Sequence, residues 1–133
     1  MKLKYEFFEV ANTILFQIMQ KEIPMKSAIT IARWIREKFQ DEYKIYTDMR
    51  LKLCEKYCMR DEKGIPILAV HPQTREQEYI FKENQGIFNE EMENLKGIEV
   101  ELPDLNLKIE DLGDIKIMPQ FVLFLEQHGI FKT

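Results

Sequence analysis

The chain has 133 residues, 45% hydrophobic and 32% charged, enough apolar material for one core and too much for a chain disordered throughout. Its 19 Lys and Arg face 23 Asp and Glu, a net charge of −4 that is interspersed rather than blocked, which argues against a domain that binds nucleic acid by neutralising phosphates. Glu6 and Glu9 fall where a secretory signal would be apolar, and no run approaches the ~18 apolar residues that cross a bilayer, so the sequence predicts one soluble, intracellular domain over residues 1–133 with no membrane contact.

Taken in order, Lys4 to about Glu22 carries Phe7, Val10, Ala11, Ile14 and Ile18 at helical spacing, which predicts a first helix. Pro24 ends it by disfavouring helical geometry at Ile23, and Ser27 is placed to cap the next. From Ser27 to Met59 there is neither Gly nor Pro, while Ala28, Ile31, Ile35, Phe39, Tyr46, Met49, Leu53 and Tyr57 form a stripe broken at Glu42. That stripe predicts a single helix of roughly 50 Å at 1.5 Å per residue, packed lengthwise on other helices. The short connection makes the first two helices a hairpin, but the first can cover only about half of the second, so the far half, Tyr43 to Met59, needs other cover.

That far half carries Tyr43, Tyr46 and Tyr57 beside Arg50. Two readings stand side by side: aromatic bodies packed on later parts of the chain, or a partner-binding surface, since Tyr and Arg are enriched at interaction hot spots. Cys54 and Cys58, four apart on one helix, have poor geometry for a disulfide, and a metal held with His71 would need further ligands, so the pair reads as packing thiols.

Gly64 suits a turn after the helix. Ile65–Val70 and Gln77–Phe81 follow, a hairpin around a five-residue loop, His71 to Arg75, with Pro66 at an edge. Asn84 to Lys96 predicts a short amphipathic helix closed by Gly97, with Glu90, Glu91 and Glu93 on its wet side. The alternations Ile98/Val100/Leu102, Leu107/Ile109 and Ile115/Ile117 predict a small antiparallel sheet. Pro119 then opens an apolar helix ending at Gly129, whose run Phe121-Val122-Leu123-Phe124-Leu125 is either buried on all sides, against the exposed half of the long helix, or shared in a dimer. The whole is an α+β chain: a helical hairpin with one long helix (about 27–59), a small antiparallel sheet, a short amphipathic helix and an apolar C-terminal helix.

The order of features resembles a group of small uncharacterised proteins encoded by phages and prophages of Gram-positive bacteria. The residues that carry it are Ile23-Pro24-Met25-Lys26 before the long helix, Tyr57 and Asp61-Glu62-Lys63-Gly64 at its end, Ile98 to Leu102, Ile109 to Ile115, and Pro119 before an apolar helix. The segment from Pro66 to Gln77 and the cysteine pair depart from that pattern. The resemblance implies a phage protein at work in the cytoplasm of the infected bacterium or in virion assembly, and it brings no catalytic residues.

No phosphate loop, nucleophile elbow or His-Glu-x-x-His helix occurs, and the two histidines stand apart, so neither enzymatic activity nor a cofactor is expected. The sequence therefore points to a non-enzymatic protein that binds a host or phage protein through Tyr43, Tyr46, Arg50, Tyr57, Phe121 and Phe124. Inhibition of a host defence or nucleic-acid-processing protein is one form, with acidic charge standing in for phosphates. Virion assembly through a homo-oligomer is the alternative.

Overall fold

The computed structural model describes residues 1–132 and is an α+β protein. In chain order the elements are β1 (Lys2–Lys4), a 3₁₀ turn (Tyr5–Phe7), α1 (Phe8–Met19), α2 (Met25–Tyr57), β2 (Leu68–Val70), β3 (Gln77–Tyr79), a 3₁₀ turn (Lys82–Asn84), α3 (Gln85–Lys96), β4 (Glu99–Glu101), a 3₁₀ turn (Ile109–Leu112) and α4 (Pro119–Gln127). The long helix α2 runs unbroken for 33 residues. It is α-helical over Met25–Trp34, π-helical over Ile35–Phe39 and α-helical again over Gln40–Tyr57.

The chain forms two compact units, one of Met1–Ile45 with the segment from Gly97 onward, the other of Tyr46–Lys96. In the first, α1 buries Phe8, Ala11, Ile14, Leu15 and Ile18, the three-and-four spacing of a helix with one side on a core. The facing side of α2 buries Ser27, Ile31, Trp34 and Phe39. Five residues separate Trp34 from Phe39, which in an α-helix would turn the second side chain about 140° away from the first. The π turn absorbs the extra residue: the Gln40 amide reaches back to the Ile35 carbonyl, five residues earlier, and both rings face inward. Trp34 and Phe39 stack at 5.3 Å, and Phe39 stacks on Phe8 at 4.9 Å with only 6° between ring planes. The expected stripe placed Ile35 inward. The π turn gives that position to Trp34 and leaves Ile35 half-buried.

Three polar contacts lock this packing. The Trp34 indole donates to the Pro103 carbonyl at 2.7 Å, the Ser27 hydroxyl to the Asp111 carbonyl at 2.6 Å, and the Tyr5 hydroxyl to Glu42 at 3.0 Å. Ser27 is therefore no helix cap. The helix begins two residues earlier, at Met25, after Pro24 leaves the backbone extended at ψ 137°.

The sheet differs from the expected one. β4 pairs antiparallel with β1, Leu3 opposite Val100, so the residues before Tyr5 are strand rather than the start of α1. Leu107, Ile109, Ile115 and Ile117 form no strands. A 3₁₀ turn occupies Ile109–Leu112, fixed by the Lys108 amide donating to Asp111 at 2.8 Å, and Gly113 leaves it beside the Pro24 ring at φ +78°, a left-handed backbone that favours glycine. The neighbours of α4 are the first 3₁₀ turn and α1: Phe124 meets the Phe7 ring of the turn edge-on at 6.1 Å, and Phe121 lines a small cleft with Ile14 and Ile18. Only Leu125 of that helix is fully buried, and Leu123 is 65% exposed. In the second unit Tyr46, Cys58, Phe81, Met92 and Leu95 are buried, with Phe81 stacked on Phe88 at 3.9 Å.

Candidate interaction surface

The second unit builds an apolar strand at the end of α2 and holds it firmly. Arg60 ties the helix end to the loop that follows. Its guanidinium donates to the carbonyls of Glu55 at 2.7 Å and Gly64 at 2.8 Å, placing a cation at the end of the helix, where the last carbonyls lack backbone amide partners. Asp61 Oδ1 accepts the amides of Lys63 and Ile65, both at 2.9 Å, and Gly64 turns the chain at φ +79°. The chain then runs back antiparallel to the helix end: the Asp61 amide donates to Ile65 and the Ile67 amide to Met59, each at 2.9 Å. It continues as β2, paired antiparallel with β3 in the register Leu68–Tyr79, Ala69–Glu78, Val70–Gln77.

The loop between the strands is closed by the His71 amide on the Glu76 carbonyl at 2.9 Å, while His71 Nδ1 accepts from the amides of Gln73 and Thr74 at 3.3 and 3.4 Å. An imidazole thus does what an Asp side chain does in a tight turn. The loop ends with Arg75 in the left-handed region at φ 58°.

This bonding fixes the direction of every peptide group in the strand. Ile67 and His71 point their amides inward, and direction alternates along a strand, so Leu68 and Val70 point N–H and C=O outward to the open edge. Pro66 occupies another outward position, where its missing N–H costs no ladder bond. Along the same stretch Ile65, Ile67, Leu68 and Val70 are 56, 40, 41 and 58% exposed. No Lys, Arg, Asp or Glu occurs from Gly64 to Thr74. Exposed strand edges are ordinarily blunted by charge, and this one carries none.

The six residues singled out in the sequence are divided between the two units. Tyr43, Phe121 and Phe124 belong to the first unit and Tyr46, Arg50 and Tyr57 to the second. Tyr43 is half-buried, edge-on to Phe8 at 6.4 Å and to Phe39 at 6.0 Å. Tyr46 is buried at 3% exposure under the Arg50 guanidinium, 5.4 Å from its ring centre. Tyr57 is half-buried and donates to Glu91 at 3.3 Å, while its own carbonyl accepts from Asn84 at 3.1 Å, joining the helix end to α3. Phe124 packs with Phe7 and with His128, 4.5 Å away, and burial of that imidazole pushes its pKa down. Phe121 lines a small cleft beside α1.

Cys58 is buried, its thiol directed at the Glu55 carbonyl 3.4 Å away, and burial pushes the Cys54 thiol pKa up. Among the described residues, no three His, Cys, Asp or Glu side chains are grouped to hold a metal ion, and no helix is long and apolar enough to cross a membrane. The surface that sequence reasoning missed is the outer edge of β2. Its signal was present in the uncharged run from Gly64 to Thr74. No protein-family model, curated protein or solved structure matches the chain.

Proposed function

We propose that the protein is non-enzymatic and acts by binding another protein, whose extended segment adds to the outer edge of β2 as a further strand. The observation that carries this reading is the uncharged apolar edge itself: outward peptide groups at Leu68 and Val70, flanked by side chains about half exposed. Main-chain bonds supply affinity in that mode, and the alternating side chains supply selection. Arg60, Asp61 and His71 hold the strand in place before a partner arrives, which lowers the ordering cost of binding.

The resemblance to proteins of phages and prophages places the partner, in this proposal, among host or phage proteins in the cytoplasm of an infected Gram-positive bacterium. A nucleic-acid-processing or defence protein fits the net charge of −4, because acidic charge complements a basic channel. The test is capture from infected lysate by the wild-type chain and by a Leu68→Lys/Val70→Lys variant, both positions being exposed. A stoichiometric partner lost with the variant supports the proposal. Equal capture by both, or none by either, refutes it.

A homo-oligomeric assembly role is the second reading, favoured by the exposure of Phe16 at 61% and Leu123 at 65%. Light scattering over a range of concentrations separates the two, since a protein monomeric throughout has no such role.

A further inference from the structure

We infer that, away from the β2 edge, the basic start of α2 docks on the acidic face of α3 in a second copy of this chain. From Ile23 to Arg36 the sequence carries Lys26, Arg33 and Arg36 but no Asp or Glu. From Glu83 to Leu95 it carries Glu83, Glu90, Glu91 and Glu93 but no Lys, Arg or His. Each stretch surrounds an isoleucine about half exposed, Ile29 on α2 and Ile87 on α3. Lys26, Arg33, Glu83 and Glu90 are all exposed and make no ion pair among the described residues. Glu91 is engaged by the Tyr57 hydroxyl and Glu93 by Lys96, 3.6 Å away.

The spacing selects one alignment. At about 100° per residue, Lys26 and Arg33 lie about 60° and 40° to one side of Ile29, three residues before it and four after. Glu83, in the 3₁₀ turn that runs into α3, and Glu90 lie about 40° and 60° to the other side of Ile87, four residues before it and three after. Helices laid side by side in the same direction bring opposite flanks together. With Ile29 against Ile87, Lys26 then meets Glu83 and Arg33 meets Glu90, each within one residue, about 1.5 Å, along the axis. Antiparallel helices would leave the charges on opposite sides of the seam. The isoleucines lose water at the centre, and the ion pairs form the rim. Because the two faces differ, the contact is head-to-tail, and a joined pair still offers one face of each kind to a further copy. A contact this small gives a dissociation constant of roughly 0.1 to 1 mM, weakened by salt.

The test is sedimentation equilibrium of the full chain from about 10 µM to 1 mM, beside two charge-reversed variants, Lys26→Glu/Arg33→Glu and Glu83→Lys/Glu90→Lys. All four positions are exposed, so both variants should keep the wild-type melting temperature. The wild-type mass should rise with concentration, with association at least about tenfold weaker in 0.5 M salt. Each variant alone should stay monomeric, since its two faces then carry the same sign. An equimolar mixture of the two should associate again, because each reversed face meets its opposite on the other variant. A mixture that stays monomeric overturns the inference, as does self-association by either variant at the wild-type level. So does a monomeric wild type, including one whose basic face binds phosphatidylglycerol vesicles instead. Neither variant alters residues 64–74, so capture of a protein partner at β2 remains a separate readout.

Discussion

Deletion of Glu37 is the sharpest test of how the long helix is built. Arg36, Glu37 and Lys38 are exposed within the π turn, and the buried rings on either side, Trp34 and Phe39, are five residues apart. Removing one exposed residue shortens that spacing to four, about 400° of α-helix, which is only ~40° past a full turn. The turn can then close as ordinary α-helix with both rings still inward, because a π turn is one residue inserted into an otherwise regular helix. The expected change in stability is about 1 kcal/mol or less, of either sign.

Deletion of Asp48, equally exposed but in the regular part of α2, is the control. No slack exists there, so every later residue of the helix turns by about 100° relative to Tyr46. That rotation takes the Arg50 guanidinium off the Tyr46 ring and opens the burial of that ring among the residues that follow it. At about 1.5–3 kcal/mol for a buried aromatic side chain and about 0.5–1 kcal/mol for the cation–π contact, the loss is roughly 2–4 kcal/mol. Urea unfolding followed by circular dichroism measures both variants. If the Glu37 deletion costs as much as the Asp48 deletion, the π turn is not the source of the helix's phase and the reasoning fails.

Phe39→Ala removes a fully buried ring stacked on both Phe8 and Trp34 and is expected to cost about 3–5 kcal/mol in thermal or urea unfolding; a loss under about 1 kcal/mol would contradict its central place in the core. The Tyr5 hydroxyl has its pKa pushed up to about 12 by burial and then by its bond to the Glu42 carboxylate, so ultraviolet titration should show one of the five tyrosines ionising late. The folded state holds that proton between the ordinary value of 10.0 and about 12, so stability is complete below pH 10 and falls as pH rises through this interval, a fall that Tyr5→Phe should abolish. His128 behaves in the opposite sense. Its pKa is lowered from 6.5 by burial, the unfolded chain takes up the proton first, and its contribution to stability, present above pH 6.5, is lost as pH falls below it; His128→Gln should flatten that slope in urea midpoints.

What the sequence reveals and conceals follows the range of each interaction. The long helix is legible because neither Gly nor Pro interrupts it and its apolar spacing is local, and β2 and β3 are legible because a six-residue loop, 71–76, joins two extended runs. β1 is not, since Leu3 gains its strand character only from Val100, a partner from the other end of the chain, and its own neighbours in sequence are helical. The alternation at Leu107, Ile109, Ile115 and Ile117 promised strands that do not form, because Asp111 instead bonds the Lys108 amide and winds the segment into a 3₁₀ turn. Trp34 escapes a stripe counted at threes and fours, because its inward direction depends on the single five-residue step to Phe39. The aromatic residues read as partner-binding are legible as aromatic but not as placed: Tyr46 is buried in one unit, while Phe124 packs on Phe7 in the other. The proposed interaction surface lay in what the run from Gly64 to Thr74 lacks, and an absence of charge means little until the pairing that leaves Leu68 and Val70 facing outward is in view.

The open edge of β2 is tested most directly by amide hydrogen exchange of the isolated protein, read residue by residue. The amides of Ile67 and His71, bonded to Met59 and Glu76, should exchange slowly, while those of Leu68 and Val70 between them should exchange at rates close to those of an unstructured chain. Four equally protected amides would mean that the edge is already covered, and the proposed mode of binding would be wrong.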